Sequence, residues 1–170
     1  TFCIFVGTKK HAQNVIKEYA EACGMPYVNY RWIGGALTNF HQIRTRIERL
    51  EEIEELEKSG KLELYPKKEA ALILKEKKNL LKKFGGIRTL TKYPDVIIVV
   101  DVRKEINLIR EAKKVGCKIV GIVDTNSNPE LVDYPIPAND DGLKSIALIL
   151  KKLSESIIEG KTESTQILDA

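Results

Sequence analysis

The sequence predicts a doubly wound α/β fold, a mainly parallel sheet flanked by helices, with a protruding antiparallel helical hairpin inserted into it. Three observations predict it. Short apolar segments without polar alternation recur along the chain, as strands buried on both faces require. Segments of helical periodicity alternate with them, which is the signature of parallel βαβ units in a flavodoxin-like or Rossmann-like arrangement. Between residues 40 and 84 that alternation is broken by two charged helical segments in succession.

The first strand spans Phe2 to Val6 and closes at Gly7; the chain is in it almost from Thr1, which implies that a further segment precedes it. Ala12, Val15, Ile16, Tyr19, Ala20 and Cys23 follow at helical spacing, stopped by Gly24 and Pro26. A short strand at Tyr27-Val28-Asn29 comes next. Asp95 to Asp101 is β-branched throughout its interior and bounded by Pro94, so it is predicted to be the central strand. A helix from about Lys104 to Val115 ends at Gly116, where the left-handed conformation after a helix favours glycine. Lys118 to Val123 is a further strand, and Asp124 to Pro129 is a dense turn signal. A weak strand at Tyr134 to Pro137 precedes a last helix from about Asp141 to Glu159.

In the insertion, Ile43, Ile47, Leu50 and Ile53 form a narrow apolar seam on a helix of Arg and Glu, and Ala70, Ile73, Leu74, Leu80, Leu81 and Phe84 mark a second helix ended by Gly85-Gly86. The expected organisation is a sheet domain over 1–39 and 85–160, a hairpin over 40–84 that buries only its own seam, and a loose tail over 161–170.

A chain of 170 residues holds one core with an appendage. Its net charge of +4 and pI near 8.8 permit a polyanionic partner without requiring one. Cys3, Cys23 and Cys117 lack the paired spacing of a zinc site or redox disulfide and read as reduced, buried thiols. No run approaches the roughly 18 apolar residues of a membrane span, so no membrane partner is expected.

In a doubly wound sheet, ligands bind at the carboxyl ends of the strands. Gly7-Thr8-Lys9-Lys10 lies there but lacks the glycine spacing of a phosphate cradle, and Thr8 reads as a helix N-cap. Asp101, Asp124 and Asp140 sit at the same edge. They are compatible with magnesium or phosphoryl chemistry and equally with turn closure and capping. His11 and His41 have no Ser, Cys or carboxylate partner by spacing, so no catalytic residue is assigned. Tyr27 to Phe40 combines the only tryptophan, Trp32, with Arg31, Asn39 and a glycine pair. Trp32 reads as a packing anchor or a stacking platform, while Arg31 and Asn39 suit a sugar-phosphate surface. The hairpin charges read as a solvated face with pairs such as Glu54 to Lys58, or as phosphate contacts where Arg44, Lys82 and Lys83 meet at its base.

The stretch Tyr27-Val28-Asn29-Tyr30-Arg31-Trp32-Ile33-Gly34-Gly35-Ala36-Leu37-Thr38-Asn39-Phe40 resembles the Y-V-N-x-R-W-x-G-G-x-L-T-N-F signature of the bacterial-type small-subunit ribosomal protein two family. Further matches are Pro66-Lys67-Lys68-Glu69, Gly85-Gly86-Ile87, Tyr93-Pro94-Asp95, Val99-Val100-Asp101, the run Ile122 to Pro129 and the run Ile136 to Asp141. Together they extend from Val6 to about Gly160. Tyr93 and Ile33 depart from the leucine commoner at those places, and the family's N-terminal G-H and W-N-P signatures are absent.

The resemblance implies a non-catalytic structural constituent of the small ribosomal subunit, without cofactor, metal or homo-oligomer. Its partners would be small-subunit ribosomal RNA and neighbouring small-subunit proteins, among them an mRNA-binding protein of OB-fold repeats. Its location would be the ribosome of a bacterial cytoplasm, plastid stroma or mitochondrial matrix. Carried over by position and charge, the RNA-facing candidates are Lys9, Lys10, Arg31, Trp32, Asn39, Arg44, Arg46, Lys82, Lys83 and Arg88.

Overall fold

The computed structural model describes residues 2–168, and the side chains of residues 2–164. Strands β1 (Cys3–Val6), β2 (Tyr27–Val28), β3 (Val96–Val100), β4 (Lys118–Val123) and β5 (Tyr134–Pro137) form one sheet in the order β2-β1-β3-β4-β5, and every neighbouring pair is parallel. The central position falls to β3, as its unbroken β-branched run predicts: Val96 to Val99 pair with Cys3 to Val6 on one side, and Val96 to Val100 with Lys118 to Ile122 on the other.

Alternation along the strands divides the core between two layers. Cys3, Phe5, Ile98, Val100 and Ile122 pack with Ile16 and Ala20 of α1 (Gln13–Ala22) and with Ile146 and Leu150 of α5 (Leu143–Leu168). Ile4, Val6, Ile97, Val99 and Ile119 face the opposite way, against Leu108, Ile109 and Ala112 of α4 (Ile106–Val115). Helices therefore cover both faces, which is why β1 and β3 can be apolar at every position. Gly116 ends α4 at φ 77°, a conformation in which other residues are strained.

The residues between β2 and β3 supply α2 (Phe40–Lys58) and α3 (Lys67–Phe84). Ile43, Ile47, Leu50 and Ile53 of α2 are buried, and they belong to the same contact-linked cluster as Ile97 and Leu108 rather than to a seam shared with α3 alone. Only Leu80 and Phe84 of α3 are buried; Leu72 and Leu74 are exposed. Arg49 meets Glu76 across the two helices, but Arg88, just past the end of α3, forms a two-pronged ion pair with Glu54 near the end of α2. A simple antiparallel hairpin places residue 88 beside the start of α2, so this pairing differs from the expected geometry. α2 packs chiefly on α3, with Arg49 pairing to Glu76 and Lys77 to Glu57 across the two helices.

Two local expectations are corrected. Thr8 does not cap a helix: its hydroxyl and its amide both donate to the Glu105 carboxylate, and the chain enters α1 through a 3-10 turn at Lys10–Ala12. The last helix does not stop before Gly160 but runs to Leu168, with the Lys161 ammonium donating to the Cys23 carbonyl at 2.7 Å. Residues 161–168 of the expected loose tail are thus helical, and Asp169 and Ala170 lie outside the described residues. Cys3, Cys23 and Cys117 are free and buried, and burial raises the thiol pKa of Cys3 and Cys117.

Candidate nucleic-acid interface

At the carboxyl edge of the sheet, the Lys9 ammonium lies 2.7 Å from Asp140, 2.8 Å from Asp141 and 2.9 Å from Asp101. The fold brings these groups together from the β1, β3 and β5 exits. Asp140 is 1% exposed and Lys9 16%, so the pairing is nearly dry. Burial alone lowers the Lys9 pKa, but bonds to Asp140, Asp141 and Asp101 outweigh it and hold the ammonium well above the ordinary lysine range.

The network extends outward. Asp101, at φ 71°, accepts from the Lys104 amide at 2.9 Å, and the Lys104 ammonium donates to the Thr8 carbonyl at 3.0 Å. Glu105, 4% exposed, is pushed above the usual carboxyl range by burial, against the opposing pull of its bonds from Thr8. Asp124 accepts from the Thr125 amide at 2.6 Å, and that bond chiefly holds its pKa down; Asn139 accepts from the amides of Asp141 and Gly142. Oxygens of Asp124, Asp140 and Asp141 are close enough together to share a cation, but Lys9 already supplies positive charge to two of them. Turn closure accounts for the Asp124 bond and capping for those of Asn139, whereas the Asp140 and Asp141 carboxylates are engaged by Lys9.

The second region is residues 30–39. The Glu111 carboxylate of α4 accepts from the Trp32 indole N–H at 3.2 Å, from the Gly35 amide at 2.8 Å and from the Leu37 amide at 3.2 Å. One side chain thereby closes a loop that has no ladder partners of its own. Trp32 is half-buried, with its ring packed against the α4 core layer. Gly86 completes this end: a Cβ there would lie 2.2 Å from the Tyr27 carbonyl oxygen, so only glycine lets the two backbones approach. The Tyr27 phenol is pushed up to about 12, by burial first and then by Glu21, which accepts its hydroxyl proton at 3.2 Å.

The sequence-derived candidates now separate. Lys9 is enclosed by carboxylates, Arg88 is held by Glu54 at 2.8 Å through both terminal nitrogens, and Arg44 makes only a 3.7 Å contact to Glu48. Lys10, Arg31, Asn39, Arg46, Lys82 and Lys83 are exposed. The cationic members of that group make no ion pair among the described residues, and Lys82 rests over the Tyr30 ring, 4.4 Å from its centroid. Glu111 and Glu105, which organise the two regions, were missed by sequence reasoning. Their partners lie 74 to 97 positions away, and the one local signal is a carboxylate beside buried positions of the same helix.

The class these features define is a parallel α/β sheet protein whose ligand edge is neutralised around Lys9 and which carries further exposed cations outside that network. The family model described as "Ribosomal protein S2" matches residues 2–160. The chain belongs to the ribosomal protein S2 family. It is 49% identical over 166 residues to small ribosomal subunit protein uS2 of a Nitratiruptor species, covering 98% of this chain and 62% of that protein. Identity to the proteins of that name in Helicobacter acinonychis and Microcystis aeruginosa is 52% and 51% over 158 residues, covering 93% of this chain and 64% and 60% of theirs. The chain thus spans about three fifths of the length of these relatives.

Proposed function

We propose that this chain is a structural, non-catalytic constituent of the small ribosomal subunit that holds ribosomal RNA. The observation that carries the reading is the family match over residues 2–160, with about half of all positions identical to proteins named for that subunit. Charge placement supports it. Arg31, Asn39 and Arg46 are exposed on the segment leading into and along α2, while Lys82 and Lys83 are exposed at the end of α3. Unpaired cations are the groups that release counterions when they meet phosphate, whereas cations already held by carboxylates gain little. Lys10, Arg31, Arg46, Lys82 and Lys83 are therefore the primary charged contacts, with the exposed Asn39 amide as a polar contact to the sugar-phosphate surface. Lys9, Arg88 and Trp32 act by holding the surface in shape, and Arg44 contributes by exchanging Glu48 for phosphate.

In this reading the unit over 40–84 and the sheet unit over 1–39 and 85–160 dock on RNA together. Neighbouring small-subunit proteins, including an mRNA-binding protein of OB-fold repeats, complete the surroundings on a ribosome of bacterial or organellar type. No catalysis is assigned, because Lys9 and the turn amides already engage the carboxylates at the sheet edge. Sedimentation tests the proposal: the chain should migrate with small subunits through a gradient and be released as salt rises, since several phosphate contacts make affinity fall steeply with ionic strength. Failure to migrate with subunits at low salt would refute it.

A further inference from the structure

An opening of about 430 Å³ lies between α1 and the turn that follows α3, within the size range of small-ligand sites. Tyr27, Tyr30, Lys17 and Lys82 are among the residues that line it. Tyr30 is 41% exposed, and the Lys82 ammonium lies over its ring, 4.4 Å from the centroid. Tyr27 forms a fixed wall, held by the close approach of Gly86 and by its bond to Glu21. Glu21 is the opposing charge here, and its carboxylate is shared between the Tyr27 hydroxyl and a long 3.9 Å contact with Lys17. Arg88 also lines the opening, but Glu54 offsets its charge.

An exposed aromatic face flanked by mobile ammonium groups is the combination that receives a nucleotide with an open base face. At this opening Tyr30 is the exposed aromatic ring, since Tyr27 is half-buried. In a duplex, neighbouring base pairs cover each base, so only an unpaired nucleotide can present its face. An ammonium on an exposed ring is held more weakly than a stacked base, and the flexible Lys82 stem lets its charge move from ring to phosphate as the base arrives. The geometry points to a seat for one unpaired RNA nucleotide at this opening, its base on Tyr30 and its phosphate on Lys82 and Lys17. The inference rests on the ribosomal RNA reading above and gives that reading a specific ligand.

The test uses the full chain with a short mixed-sequence single-stranded RNA and the blunt duplex made from it. Single-stranded RNA should bind more tightly. Tyr30→Ala should weaken it by about tenfold, the scale of one base–aromatic stack, and leave duplex binding unchanged. Tyr30→Phe should bind as the parent does, and Lys82→Gln should reduce the salt slope by roughly one contact. Should Tyr30→Ala not fold, Tyr30→Leu keeps apolar bulk without a π face and should show the same loss. Equal affinity for single strand and duplex, an unchanged preference in Tyr30→Ala or Tyr30→Leu, a Tyr30→Phe loss as large as that of Tyr30→Ala, or no RNA binding would each overturn the seat. Gradient migration with small subunits is read separately. Migration without a Tyr30-dependent preference removes the seat and leaves the ribosomal reading, whereas the preference without migration does the reverse.

Discussion

The carboxyl edge of the sheet and the face running from residue 30 to the end of α3 are both rich in basic side chains, and they use them in opposite ways. Lys9 is surrounded by Asp101, Asp140 and Asp141 and holds three chain segments together. Arg31, Arg46 and Lys83 are exposed and meet no carboxylate among the described residues. The difference teaches that a lysine's value to a polyanion depends on what the fold has already placed around it. A desolvated ion pair stabilises only while complete, and a solvated cation contributes little until phosphate arrives.

The largest expected effect breaks the closed edge. Lys9→Met leaves the buried Asp140 carboxylate without its counter-charge and should cost about 3–5 kcal/mol in denaturant unfolding, the usual penalty for removing one partner of a buried pair. A loss below about 1 kcal/mol would show that water compensates these aspartates, and the contrast between the regions would disappear.

Next is the carboxylate that shapes the open face. Glu111→Ala deprives the Trp32 indole and two backbone amides of their acceptor and should cost on the order of 2 kcal/mol. Trp32 is the only tryptophan, so a red-shifted fluorescence maximum reports directly on the loosened loop. RNA affinity should fall with it.

Arg31→Glu sharpens the comparison from the other side. Stability should change by less than about 0.5 kcal/mol, because the residue is exposed and has no partner to lose. RNA affinity measured against salt should drop, with a shallower slope. If melting fell and affinity held, Arg31 would belong with Lys9.

The smallest effects are those of pH, and two carboxylates act in opposite directions. Glu54 is held below the ordinary range first by its bonds from Arg88, so its contribution is complete above the unfolded value and lost as pH falls through the folded one; for a partly exposed pair this is at most about 1 kcal/mol. Glu105 is held above that range by burial. Its contribution is complete below the unfolded value and lost as pH rises through the folded one. Unfolding curves between pH 3 and about 8 should therefore show Glu105→Gln removing the decline on the alkaline side and Arg88→Gln removing the decline on the acid side.

Much of the fold was legible because its signals are local. The β-branched run at Asp95 to Asp101 specifies a strand buried on both faces, and it lies third of five in the sheet. Gly116 marks a helix end that needs a positive φ. Where the sequence misled, competing partners were distant. Thr8 has the residue type of a cap but bonds Glu105, 97 positions away. The apolar seam of α2 packs with α3 in a cluster that extends into the sheet domain, because periodicity reveals that a stripe is buried and not how far the core beyond it reaches. Gly160 suggested a helix stop, yet nothing near it provides a competing turn, and α5 continues past it.

The candidate surface divides along the same line. By itself, the sequence determined the residue types of the 30–39 loop and the family they belong to, because a motif is a property of order along the chain. It also determined the alternation of strand and helix, which follows from side-chain spacing. Only the tertiary structure decided which cations remain open. Lys9 is neutralised by residues as far as 132 positions away, and electrostatic partners depend on distance in space, which linear order leaves undefined until the sheet has assembled.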